Sequence, residues 1–182
     1  MTSGSRGEQT DGELIDRWKA GDSRAATLIV TRHADALARF AVSSGERSEI
    51  EELVQDTFVR AFASIDSFRG ESSLRTWLFT IERRLMLDRR RAERRQKATV
   101  PVDPADAVTE YDALDALVAA EAESKVRRAI DTLSPMQREV FTLRVEQGMS
   151  YKDIAEIVGS TEGAARVHYH NAMRAVKESV SE

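Results

Sequence analysis

The stretch from Phe68 to Arg95, FRGESSLRTWLFTIERRLMLDRRRAERR, gathers the side chains of this chain best suited to gripping a nucleic acid. Between Phe68 and Lys97 stand ten basic residues against four acidic ones, a local charge of plus six in a chain whose total is minus four. Phosphates attract cations and unstacked bases attract flat faces. Thr76, Phe79, Arg83, Met86, Arg90 and Arg94 recur at helical spacing, so the expected open face carries cations, a ring and apolar side chains together. Leu74, Trp77, Leu78, Ile81 and Leu85 form the opposite stripe and are expected in the core. A surface helix with a snorkelling arginine end uses the same residue types, but the concentration of charge favours nucleic acid.

A second surface of the same kind lies near the C-terminus. Ser134-Pro135-Met136-Gln137 is a helix start, with serine as cap, proline at the first helical position and glutamine closing a capping box. Ser150-Tyr151-Lys152-Asp153 caps a short helix to Val158, Gly159-Ser160 turns the chain, and Thr161-Glu162 opens a helix to about Ser179. Helix, short turn, helix is the spacing of a helix-turn-helix DNA reader. In the last helix Ala165, Tyr169, Ala172 and Val176 form the inward stripe. Val167, His170, Asn171 and Arg174 face out, with Arg166 and His168 on the flanks, and no acid intervenes between Gly163 and Lys177. Such a face can donate to phosphates and base edges. His168 and His170 point about 200° apart on a helix, which argues against a shared metal.

The elements that must position these faces are helices. Residues 1–10 are expected to be disordered. Leu14, Ile15 and Trp18 begin a helical pattern, which continues from Ser23 to about Val42 with Ala26, Leu28, Ile29, Leu37, Phe40 and Ala41 as its apolar set. Ser48-Glu49-Ile50-Glu51 reads as a capping box for a third helix, whose outer side carries Glu49, Glu52, Gln55, Asp56 and Arg60. Gly70 permits a tight turn, and Ser72 or Ser73 can cap the arginine-rich helix. Asp88 is expected to pair with Arg84 or Arg91. Val100-Pro101-Val102-Asp103-Pro104 breaks the helix, and seven acids with no base follow between Val102 and Ser124. Helical pattern resumes near Leu114–Val118.

The fold class is therefore all-α: two small helical domains, 11–97 and 125–182, joined by a flexible acidic linker over 98–124. With 182 residues, no cysteine and no long uncharged apolar run, the chain can bury a core, lacks disulfides and zinc-thiolate sites, and is expected in the cytoplasm without a membrane segment. Its acids sit on helix faces with no convergent histidine or serine and no glycine-rich phosphate loop. Catalytic residues: none are expected, nor are a metal, a cofactor or a small-molecule substrate.

These motifs resemble the extracytoplasmic-function (ECF) subfamily of bacterial RNA polymerase sigma factors, and the resemblance runs from about Glu13 to Lys177. EELVQDTFVRAF at Glu51–Phe62 is similar to the family's core-polymerase-binding segment. FRGESSLRTWLFTIERRLMLDRRR is similar to the segment that opens and reads the −10 element, and Leu133–Lys177 to the domain that reads the −35 element. The resemblance implies sigma region 2 over 11–97 and sigma region 4 over 125–182. It implies binding to the β′ clamp helices through Glu52, Leu53, Gln55, Asp56 and Arg60, and contact of the second domain with the β flap. It implies −10 promoter contacts by Phe68, Arg69, Ser72, Ser73, Arg75, Thr76, Phe79, Arg83, Arg84 and Arg90, with the Phe68–Arg75 loop taking a flipped base. It implies −35 contacts by Ser160, Thr161, Arg166, Val167, His168, His170, Asn171 and Arg174. The linker would thread the polymerase's active-site cleft, and an anti-sigma protein would hold the factor inactive.

Glu82-Arg83-Arg84 stands where the family often has Ala-Arg-Asn, and Ala164-Ala165 and Val167-His168-Tyr169 replace Thr-Val and Ser-Arg-Leu. These departures bear on which promoter bases are read. The competing class is a stand-alone helix-turn-helix regulator in which Glu13–Lys97 senses or dimerises; DNA binding without polymerase separates the two.

Overall fold

The computed structural model describes residues 9–97 and 125–181, and every regular element among them is helical. The first half holds α1 (Asp11–Lys19), α2 (Ser23–Ser43), α3 (Ile50–Ala63), a 3-10 turn (Ile65–Ser67) and α4 (Leu74–Lys97). The second holds α5, helical over 125–131, then α6 (Pro135–Val145), α7 (Tyr151–Val158) and α8 (Glu162–Ser181). The acidic segment and the helical pattern expected at Leu114–Val118 lie outside the described residues.

Local chemistry sets most of the ends. The Ser134 hydroxyl accepts from the Gln137 amide while the Gln137 side chain accepts from the Ser134 amide, so the expected capping box forms. Ser150 caps α7, and Gly159 closes it at φ +67°, a left-handed position that costs glycine little. Ser73, not Ser72, caps α4: its hydroxyl accepts from the Thr76 amide at 3.0 Å. Two expectations at helix starts are corrected. No capping box forms at Ser48, because the residue before α3 is Glu49, held at φ 56° without a side-chain cap. Gln9 and Thr10 are ordered, because Thr10 makes a capping box with Glu13 and the Gln9 carbonyl accepts from Arg32 at 2.7 Å.

The two halves are not separate beads. One continuous core joins Leu14, Ile29, Leu37, Phe40, Leu53, Phe58, Leu78, Phe79 and Met86 of the first half to Val140, Leu143, Ile154 and Ile157 of the second. α7 lies against α4 and α6 lies against α2. A smaller cluster, Ala129, Leu133, Phe141, Ala172 and Val176, holds α5, α6 and α8 together. α6 is thus apolar on two sides, one toward each cluster. Leu28, expected inside, is instead exposed on α2, where Ala25 takes the inward place one turn earlier.

Candidate nucleic-acid interface

The loop before α4 is built around a ring pair. Phe68 packs on Trp77 with centroids 5.2 Å apart, and Gly70 turns the chain at φ +72°. This shapes a cavity of about 140 Å³ whose lining includes Phe68, Arg69, Gly70, Ser72 and Trp77. Glu156 of α7 also lines it, placing a carboxylate of the second half beside a loop expected to hold a base.

Along α4 the expected open face is covered. Thr76, Phe79 and Met86 are buried. Phe79 lies 5.2 Å from the ring of Phe40 on α2 and is wholly inaccessible, so it is a core residue and not a stacking platform on the surface. The side that periodicity assigned to solvent receives α7 and α6, which sequence spacing within α4 does not reveal. Polar groups make the rest of this contact. Arg75 donates to the Gln147 side chain at 2.7 Å, and the Thr76 hydroxyl donates to Asp153 at 3.2 Å. Arg83 Nε donates to Glu139 Oε2 at 2.7 Å, and Arg90 Nη1 lies 3.7 Å from Glu139 Oε1. The Glu139 side chain is 3% exposed, so two guanidiniums replace its lost water. Arg90 also donates to Glu46 and to the Ser44 carbonyl. Arg69, Ser73, Arg84 and Arg94 remain exposed, and Asp88 pairs with Arg91 at 3.5 Å and not with Arg84.

Glu82, on the same helix, is buried with no hydrogen-bond partner for either carboxylate oxygen. Burial, with the nearby Glu46 charge, pushes its pKa up to about 9. It is neutral at pH 7 and contributes no charge to a DNA-facing surface.

α8 contrasts with α4. Ala165, Ala172 and Val176 turn inward as expected, and Tyr169 packs between Phe141 and Tyr151. Ser160, His168 and Asn171 are half-buried, while Thr161, Arg166, Val167, His170 and Arg174 are exposed. Arg166 pairs with Glu162 at 2.5 Å and lies over the Tyr151 ring, which holds it near the N-terminal end of the helix. Arg166, Val167, His170 and Arg174 are therefore accessible along α8, Ser160 and Thr161 lie just before its first turn, and His168 and Asn171 are partly covered.

On α3, Glu52, Gln55 and Arg60 are exposed and Asp56 is half-buried. Leu53 is buried at 1% exposure and belongs to the core, which corrects its place among contact residues. Arg89 of α4 lies 3.2 Å from Asp56, 3.6 Å from Glu52 and 3.7 Å from Glu49, tying α3 to α4. Among the described residues no three His, Asp or Glu side chains gather as a metal site, and no helix is long and apolar enough to cross a membrane.

Residues 29–96 match the family model for sigma-70 region 2, and residues 123–176 match that for sigma-70 region 4. The ECF RNA polymerase sigma-E factor of Haemophilus influenzae is 30% identical over 180 residues, covering 94% of this chain and 95% of the relative. That of Escherichia coli K12 is 29% identical over 181 residues, covering 94% of each chain. Among solved structures, the sigma factor RpoE of Bartonella quintana, in complex with the anti-sigma factor NepR, superposes with a TM-score of 0.67 at 30% identity. That match covers 85% of this chain and 96% of the other. CnrH, in complex with the cytosolic domain of CnrY, gives the same TM-score of 0.67 at 26% identity over 93% of this chain and 96% of the other. The two helical halves are thus regions 2 and 4, and the chain belongs to the ECF family of RNA polymerase sigma factors, non-catalytic proteins that direct transcription initiation through RNA polymerase.

Proposed function

We propose that the chain places α8 in the major groove of a −35 element while the Phe68–Ser73 loop and α4 hold the melted −10 strand. The single observation that carries this reading is the pairing of two acid-poor donor faces with a third, acidic face on α3. Ser160, Thr161, Arg166, Val167, His168, His170, Asn171 and Arg174 line the first. Phe68, Arg69, Ser72, Ser73, Arg75, Arg83, Arg84 and Arg90 supply the second. Glu52, Gln55, Asp56 and Arg60 form the third, which docks on the β′ clamp helices. Phe79, Thr76 and Leu53 support these faces from beneath.

Region 2 spans 11–97 and region 4 spans 125–182, with 98–124 as the tether. The acids of that tether follow the polymerase's RNA path, and the factor works in the cytoplasm. An anti-sigma protein regulates it, a reading supported by the similar sigma factor RpoE, solved with the anti-sigma factor NepR. The test is transcription from a cognate promoter by purified core polymerase. Arg83→Ala should retain polymerase binding and form about tenfold fewer open complexes, and Arg174→Ala should weaken −35 duplex binding. Failure of the chain to co-purify with core polymerase, or unchanged open-complex formation by the Arg83 variant, overturns this assignment.

A further inference from the structure

Val167 is 58% exposed near the N-terminal end of α8, and among the described residues it is the large apolar side chain that this helix leaves open to water. The fold gains nothing from it there. Val167 belongs to neither apolar cluster, and a β-branched residue is a poorer helix former than alanine or lysine. One turn earlier stand Gly163 and Ala164, and a Cβ at Gly163 would meet nothing within 4 Å. Arg166, its neighbour in sequence, is engaged by Glu162 at 2.5 Å and lies 5.3 Å from the centre of the Tyr151 ring on α7. His170 and Arg174 are exposed one and two turns farther on. This side of α8 is therefore low and apolar at its start and bears donors beyond.

We propose that Val167 selects an A·T pair in the −35 duplex by packing on the C5 methyl of its thymine. This rests on the reading of α8 as the helix that enters the major groove. The first turns of such a helix lie nearest the base edges, and the thymine methyl is the apolar group that base pairs present there. The valine side chain neither donates nor accepts a hydrogen bond. Opposite the acceptors of guanine or the amino group of cytosine it displaces water and returns nothing, whereas opposite a methyl no polar partner is lost. In a helix this side chain is held to one main rotamer, so its methyls stand in place before contact and little entropy is lost. Gly163 and Ala164, with almost no side chain, let the backbone come close to the pair.

Holoenzyme assembled from bacterial core polymerase and the full chain can select promoter DNA from a library randomised across both elements. The parent should fix one −35 pair as A·T, and Val167→Ala should relax that position and no other. Replacing the selected thymine with uracil removes the methyl alone. It should weaken binding of the parent holoenzyme about fourfold, the worth of one buried methyl group. Val167→Ala should bind the two DNAs equally, and Val167→Thr, which keeps one methyl, should fall between them. Because the side chain is exposed, thermal melts of both variants should match the parent. The proposal is overturned, with α8 still the duplex reader, if Val167→Ala relaxes no A·T pair or if the uracil penalty is absent or equal in parent and variant. Enrichment of no −35 sequence by the parent removes that reading of α8 and this inference with it.

Discussion

α4 and α8 are both long helices with arginines on one side, yet they occupy opposite situations. On α8 the acid-free side faces water, and Val167 is left 58% exposed on it. On α4 the corresponding side is covered, with Phe79 inaccessible against Phe40 of α2, Met86 inaccessible, Arg83 matched to Glu139 and Arg90 matched to Glu46 and Glu139. A cationic helix is thus defined as a binding element by what can leave it, not only by what it carries. Under the proposed assignment, the duplex-reading side of α8 is accessible as it stands, whereas the strand-holding side of α4 is covered.

Substitutions can break this contrast, and the largest effect belongs to the core. Phe79→Ala should destabilise the fold by about 3–5 kcal/mol, because it empties a site against Phe40. A thermal melt measures this; an unchanged midpoint with impaired DNA binding would return Phe79 to the surface role that spacing suggested. Arg83→Ala should reduce open-complex formation about tenfold, the size of one charge-assisted hydrogen bond, with polymerase affinity unchanged. Strand footprinting with permanganate reads that loss.

Glu82→Gln sharpens the same contrast through pH. The folded carboxyl titrates near pH 9, against an ordinary value of 4.5, so the folded state keeps a proton that the unfolded chain releases across that window. Its contribution to stability therefore falls as pH rises, and the variant should gain stability relative to the parent from about pH 5 to about pH 8. Parallel denaturation curves at the two pH values would contradict the buried, neutral state. The smallest change is expected on α8, where Arg174→Ala should leave the melt unaltered. It should lower the salt slope of −35 duplex binding by about one.

Much of this molecule could be read from residue order. The Ser134 and Ser150 caps, the Gly159 turn, the inward Ala165-Ala172-Val176 stripe and the outward set of α8 all follow from interactions within a few residues. Those interactions are local, and local chemistry is visible in a linear pattern. The covered side of α4 is not local: Phe79 finds Phe40, and Arg83 finds Glu139, across long stretches of chain. Periodicity separates two sides of a helix but does not say whether a second neighbour covers the outer one. One signal was present: Glu139 precedes Val140 and Phe141 in a helix apolar on two sides, where an acid needs a cationic partner. The Leu53 misplacement has the same origin, since a motif quoted as a block mixes contact residues with those that hold the helix in place.

The contacts of Gln9 and Thr10 set a boundary for anyone trimming the chain. Thr10 closes the first turn of α1 through Glu13, the Gln9 carbonyl accepts from Arg32, and Asp11 accepts from both Arg32 and His33. A truncation that begins at Asp11 would preserve every helix by name and keep Asp11 against Arg32 and His33, while deleting the Thr10 cap and the Gln9 carbonyl that Arg32 reaches, at a cost of about 1 kcal/mol for the missing cap alone. Expression variants should begin no later than Gln9.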